Sequence, residues 1–152
     1  MAEKTTIIEN RIKSANSWEE MQQILKDLPK TTLMQKIEEH REKKNMSIRM
    51  LSDFSLVPET TLYAIMADES APKKNRRAPK KKQIIQIAFA LSLSLEETQE
   101  LLKLSKLKEL YAPNKDDAII MFGLSKGLDL GTIDELLEKQ KCKTRFEEFR
   151  KI

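Results

Sequence analysis

Cysteine and histidine are almost missing from this chain: Cys142 and His40 are the only examples in 152 residues. One of each cannot build an intrachain disulfide framework or a Cys/His zinc site. Three glycines and five prolines leave little material for a turn-rich sandwich, and they exclude collagen and low-complexity disorder. No apolar run approaches the roughly 20 residues that span a bilayer. The opening MAEKTTIIENR has no apolar core of the kind a secretory leader carries. There is no glycine-rich phosphate loop, no histidine partner for Cys142, and no carboxylate pair distinct from surface charge. An enzyme is therefore the least expected class, and no catalytic residue, metal or cofactor is expected. The flanking lysines could lower the Cys142 thiol pKa, although an incidental exposed thiol is the simpler reading.

What is present is 39% hydrophobic and 34% charged residues, enough for a core under a charged surface. These features predict a soluble, cytoplasmic, mostly helical protein. Residues 1–16 show no sustained period and read as a frayed end. Ser17-Trp-Glu-Glu20 reads as a capping box, with Trp18, Met21, Ile24 or Leu25, and Leu28 as packing positions before Pro29 stops the helix. Another helix should follow Thr32 with Leu33, Ile37 and either His40 or Arg41 on its inner side, the default for His40 in so charged a run being a solvent-facing or hydrogen-bonded imidazole. Ser47 can cap a short helix holding Ile48, Leu51 and Phe54. Leu56 and Val57 take the bend, and Pro58 suits the first turn of a helix that buries Leu62, Ile65 and Met66.

A longer helix near Pro79 carries Ile84, Ile87, Ala88 and Leu91 inward, and Ser94 with Glu97 forms a further capping box. The chain then repeats itself. Ile84 to Leu102 aligns with Ile119 to Leu137, so that Leu93 matches Leu128, Leu95 matches Leu130, and Glu100-Leu-Leu matches Glu135-Leu-Leu. Two stacked helical hairpins follow from that spacing. Gly127 falls where a helix end needs a left-handed residue, and Asp129 is placed to cap the next helix. Lys141 to Arg150 reads as a loose helix or tail.

The net charge is only +4, but its distribution is uneven. Lys73 to Lys82 holds seven cations in ten residues, whereas Ser92 to Gln140 holds ten acids against six lysines. A cationic patch beside an acidic remainder points to a localised polyanion contact. A basic but merely solvated loop is the plainer alternative. A membrane surface is disfavoured because no strongly apolar helix face adjoins the run.

The run Leu51-Ser-Asp-Phe-Ser-Leu-Val-Pro-Glu-Thr-Thr-Leu-Tyr-Ala-Ile65 resembles the helix-turn-helix pattern of the Cro/phage-repressor (XRE-type) family. Pro79 to Leu91 is similar to that family's fourth helix, and Leu93 to Leu102 to its fifth. The resemblance runs from Leu33 to about Leu102. It implies an all-α fold: a five-helix repressor-like module with an N-terminal helix and a C-terminal helical hairpin. The expected divisions are 1–30, 31–106 and 107–152. It also implies that the helix after Pro58 enters a major groove. Glu59, Thr60, Tyr63 and Ala64 would then read bases. Ser47, Arg49, Thr61, Lys73, Lys74, Arg76, Arg77 and Lys80 would meet phosphates, or Thr61 would cap its helix. Three positions depart from the family pattern. Ile48 stands where a phosphate-contacting polar residue is usual, Leu56 at the turn glycine, and Met66 where a Glu often pairs with an Arg such as Arg41.

The function expected from these features is a DNA-binding transcriptional regulator, a repressor, that binds double-stranded DNA as a homodimer. The alternative is a protein-binding adaptor or inhibitor of a phage or mobile-element system, built on the same scaffold and facing a protein partner. RNA binding through the basic run is a third reading, although the interleaved aromatics that stack bases are missing.

Overall fold

The computed structural model describes residues 2–28, 32–67, 72, 74 and 76–146, with side chains from Thr6 onward. Pro29, Lys73 and residues 147–152 lie outside them. Among the described residues the regular structure is helical and contains no strand. In chain order the helices are α1 (Ala2–Ser14), α2 (Trp18–Asp27), α3 (Leu33–Lys43), α4 (Ile48–Ser55), α5 (Glu59–Met66), α6 (Lys81–Ala90), α7 (Leu95–Leu104), α8 (Lys115–Lys126) and α9 (Leu130–Lys139). None of them is long and apolar enough to cross a membrane. The chain divides into two compact units, Met1–Thr31 and Thr32–Ile152.

The first unit is a pair of helices, so the irregular start expected for residues 1–16 is corrected: α1 is continuous from Ala2 to Ser14. Arg11 Nη2 meets Asp27 Oδ2 at 3.3 Å across the pair. The Ser17 hydroxyl accepts from Glu20 N at 3.2 Å, but the Glu20 carboxylate reaches back to Asn16 N (2.9 Å), one residue earlier than a capping box requires. Ile24 is the buried residue of α2, and Trp18 is 65% exposed rather than a packing anchor. At 3.6 residues per turn Trp18 sits about 120° around the helix from Ile24, whereas Met21 and Leu28 fall within about 60° of it.

The second unit is organised around α6. Every residue from Ile84 to Phe89 is buried, the signature of a helix enclosed on all sides. It packs on α4, α7 and α9. Ile37, Leu51, Val57, Leu62 and Met66 join it in one core, which continues through Leu101 and Leu102 to Ile120, Ile133 and Leu137. That core runs without interruption past residues 106–107, where the sequence suggested a division. Thr32 and Gln35 cap α3 reciprocally (3.2 and 3.0 Å). His40 is buried, not solvent-facing, with Nδ1 3.6 Å from a Glu97 carboxylate oxygen.

The link between α4 and α5 is wired by short hydrogen bonds. Leu56 ends α4 in the left-handed region (φ 64°), with its N–H on Ser52 O at 2.9 Å. Ser52 Oγ donates to Val57 O (2.7 Å) and Val57 N donates to Ser55 Oγ (3.2 Å). Gln86 Nε2, buried on α6, donates to Ser55 O at 2.7 Å and satisfies a carbonyl left over at the helix end. Pro58 then sets the backbone just ahead of Glu59. Leu51 is buried as expected, but Phe54 is 56% exposed.

The 35-residue repeat appears in the backbone itself. Hairpin α6–α7 and hairpin α8–α9 share their geometry: Ser92 and Gly127 are both left-handed (φ 53° and 68°), as are Lys106 and Lys141 (φ 58° and 56°). Ser94 and Asp129 cap the second helix of each. At each hairpin bend a 6→1 bond closes the first helix, Leu93 N to Ala88 O (2.9 Å) and Leu128 N to Gly123 O (3.0 Å). Gly123 is also a point of close packing. A Cβ there would lie 2.2 and 2.5 Å from Ile133 side-chain atoms.

The segment after α9 is not a loose tail as far as Phe146. Thr144 N donates to Asp116 Oδ2 (2.9 Å) and Phe146 N to Asp134 Oδ1 (2.9 Å), with Phe146 fully buried. Arg145 adds two bonds to Asp134, from Nε (3.2 Å) and Nη2 (2.9 Å).

Candidate functional site

The two faces of α5 are chemically distinct because buried residues recur at three- and four-residue steps. Leu62, Ile65 and Met66 point into the core, leaving Glu59, Thr60 and Tyr63 exposed, Tyr63 by 60%. Ala64 is half-buried. Thr61 departs from the expectation of a phosphate or capping contact. It is only 7% exposed, four residues before Ile65 on the inner side, and its hydroxyl accepts from Arg77 Nη1 at 3.4 Å. On α4, the Ser47 hydroxyl accepts from Met50 N (3.1 Å) as the helix cap, and Arg49 is exposed in the first turn.

The basic run divides between two places. Arg77 lies against α5: besides its contact with Thr61, its N–H donates to Ala64 O at 3.0 Å, filling a carbonyl near the helix C-terminus, where cations are favoured. The half-buried Arg76 beside it carries a buried Nε with no acceptor among the described residues. Lys74 and Lys80 are exposed, and Lys80 N donates to Gln83 Oε1 at the start of α6 (3.0 Å). Lys73 lies outside the described residues. Lys81 and Lys82 belong to a different feature, a groove of about 1020 Å³ that sequence reasoning did not identify.

Four segments line this groove: the start of α6 (Lys81, Lys82, Ile85), the connection after α7 (Lys108 to Tyr111), the start of α8 (Asn114, Asp116, Asp117, Ile120), and Lys143 to Arg145. Each wall is tied down. The buried Asp117 accepts from Lys81 Nζ (3.2 Å) and from Tyr111 N (2.9 Å). Gln99 holds Leu110 twice, Nε2 donating to its carbonyl (2.9 Å) and Oε1 accepting from its N–H (2.8 Å). Hydrogen bonds from Thr144 hold the Asp116 carboxyl below the usual carboxylate range. Next to it the Cys142 thiol is raised, first by burial and then by Asp116, so the lysines do not lower it, and it is half-buried rather than the exposed thiol expected.

The groove was missed because its lysines come from three separate stretches and only Lys81 and Lys82 belong to the conspicuous run. The repeat held a usable signal: Lys108 and Lys143 are 35 residues apart and occupy equivalent positions, each two residues beyond a left-handed lysine. Among the described residues no group of three or more His, Cys, Asp or Glu side chains is arranged to hold a metal ion. Comparison of the chain with protein-family models, with curated proteins and with solved structures gives no match.

Proposed function

We propose that the protein binds double-stranded DNA as a homodimeric transcriptional regulator, a repressor, with α4 and α5 acting as a helix-turn-helix of the XRE type. The observation that carries this reading is Arg77, exposed yet anchored on α5 through its N–H and Thr61, with Glu59, Thr60 and Tyr63 exposed on the same helix. An exposed guanidinium held beside a helix can donate to a phosphate oxygen. On this reading Glu59, Thr60 and Tyr63 face base edges, and Arg76, Arg77, Lys74 and Arg49 meet phosphates that fix the register. Thr61 acts indirectly, by holding Arg77.

The test is selection of bound duplexes from a random pool at physiological salt, followed by a salt titration of the winner. A palindromic consensus is expected from a dimer. The logarithm of affinity should fall with the logarithm of salt at about −0.9 per phosphate contacted. Charge reversal at Lys74, Arg76 and Arg77 should flatten that slope. A slope unchanged by all three removes the basic run from the interface.

A second reading, a protein-binding adaptor, draws on Met50 and Phe54, which lie four residues apart on the exposed side of α4. It predicts no enriched duplex, together with a protein partner whose binding is lost in Phe54→Ala.

A further inference from the structure

We infer that the groove between the start of α6, the α7–α8 connection, the start of α8 and the segment after α9 is a binding site for a nucleoside polyphosphate, a planar ring carrying a phosphate chain. This inference does not rest on DNA binding. The argument begins with charge. Among the described residues two of the groove's acids are paired, Asp117 with Lys81 and Glu109 with Lys103 at 3.7 Å, while Asp116 accepts from Thr144 N and keeps its charge. Arg145 is spent on Asp134 and Glu138. Lys82, Lys108 and Lys143 line the same space with no carboxylate within ion-pair distance among the described residues. The groove therefore presents three unpaired lysines against one unpaired carboxylate, an excess of positive charge for a chain of phosphates.

The lining also has an apolar part. Ile85, Leu110 and Ile120 contribute to it but are almost wholly buried, whereas Tyr111 is 66% exposed. The exposed aromatic suits the face of a planar ring, while the lysines orient its charged end. The volume lies at the upper limit of small-ligand pockets, ample for a nucleotide. The walls are also preorganised. The Asp117 and Asp116 carboxylates and Gln99 fix the backbone at Tyr111, Thr144 and Leu110, so binding does not have to order these segments. The internal repeat supplies both halves of the site, since Lys108 and Lys143 are equivalent positions of the two hairpins.

The experiment is calorimetric titration of the full chain at physiological salt with ATP, adenosine and tripolyphosphate, with the methyl signals of Ile85 and Ile120 followed by NMR. Saturable one-to-one binding of ATP is expected, with tripolyphosphate at least tenfold weaker, adenosine weaker still, and both isoleucine methyls shifted. The double variant Lys108→Gln/Lys143→Gln changes exposed side chains and should keep its helical circular dichroism while losing at least tenfold in ATP affinity. Arg77→Gln should change that affinity less than twofold. The assignment is overturned by any of three results: no ATP binding up to millimolar concentration; tripolyphosphate equal to ATP with Arg77→Gln as damaging as the lysine pair; or a short single-stranded oligonucleotide displacing ATP at lower concentration, which transfers the groove to a nucleic-acid strand.

Discussion

Residue 127 isolates backbone conformation from packing. A Cβ on Gly127 would meet nothing within 4 Å, yet φ is +68°, so the effect of Gly127→Ala is the strain of the left-handed region less the entropy that alanine removes from the unfolded chain. A loss of about 1 kcal/mol is expected in urea denaturation. The equivalent Ser92 is exposed at φ 53°, so Ser92→Gly should move the midpoint the other way by up to about 1 kcal/mol, less the entropy that glycine adds to the unfolded chain. Gly123 is the opposite case. Gly123→Ala drives a methyl into the fully buried Ile133 and should cost roughly 1–3 kcal/mol, part of which Ile133→Val returns. The sequence announced Gly127, because a glycine after a helical period followed by Asp is a stop and a start together. The resemblance pointed to Leu56 as well, since it stands at the turn glycine, whereas Ser92 was legible only through its alignment with Gly127. The sequence could not expose Trp18, whose apolar spacing fitted the helix but whose angle missed the buried side.

At the scale of the element, the caps were the most legible features. Ser47, Ser94 and Asp129 each accept from the third residue of their helix, as their spacing predicts. Hydrogen bonds from Ser94, Thr144 and Thr132 hold Glu97, Asp116 and Asp129 below the ordinary carboxylate range in the folded chain. Because their folded pKa values are depressed, these groups contribute stability that is fully present above the unfolded values and is lost as pH falls through the folded ones. The urea midpoint should therefore drop as pH is lowered below about 4. Asp129→Asn keeps a capping acceptor and should reduce that slope. A midpoint equal at pH 6 and pH 3 would contradict the assignment. The ties between elements were not legible: the buried Gln86 bond to Ser55 and the Asp134 bonds to Phe146 and Arg145 join residues far apart in the chain. Asp134→Ala leaves the buried Phe146 N–H without its acceptor and Arg145 with Glu138 alone, so a loss of roughly 1–3 kcal/mol is expected from the unsatisfied N–H, with Phe146 losing its protection from solvent.

For the whole molecule, the helical architecture followed from composition, because scarce glycine and regular apolar steps permit little else. The candidate site was legible in part. The sequence placed Glu59, Thr60 and Tyr63 on a helix with a buried reverse side, but it treated seven basic residues as one patch, and the fold sets Arg77 against α5 and Lys81 and Lys82 in the groove. The matched hairpins have a final consequence for how this chain can be cut. Lys106 and Lys141 share a left-handed φ, so excising residues 107–141 would join Lys106 to Cys142 with the local backbone conformation kept at the seam. What such a shortened chain would lose is the cover that Ile133 and its neighbours give α6, and its solubility would measure how much of the central helix depends on the second hairpin.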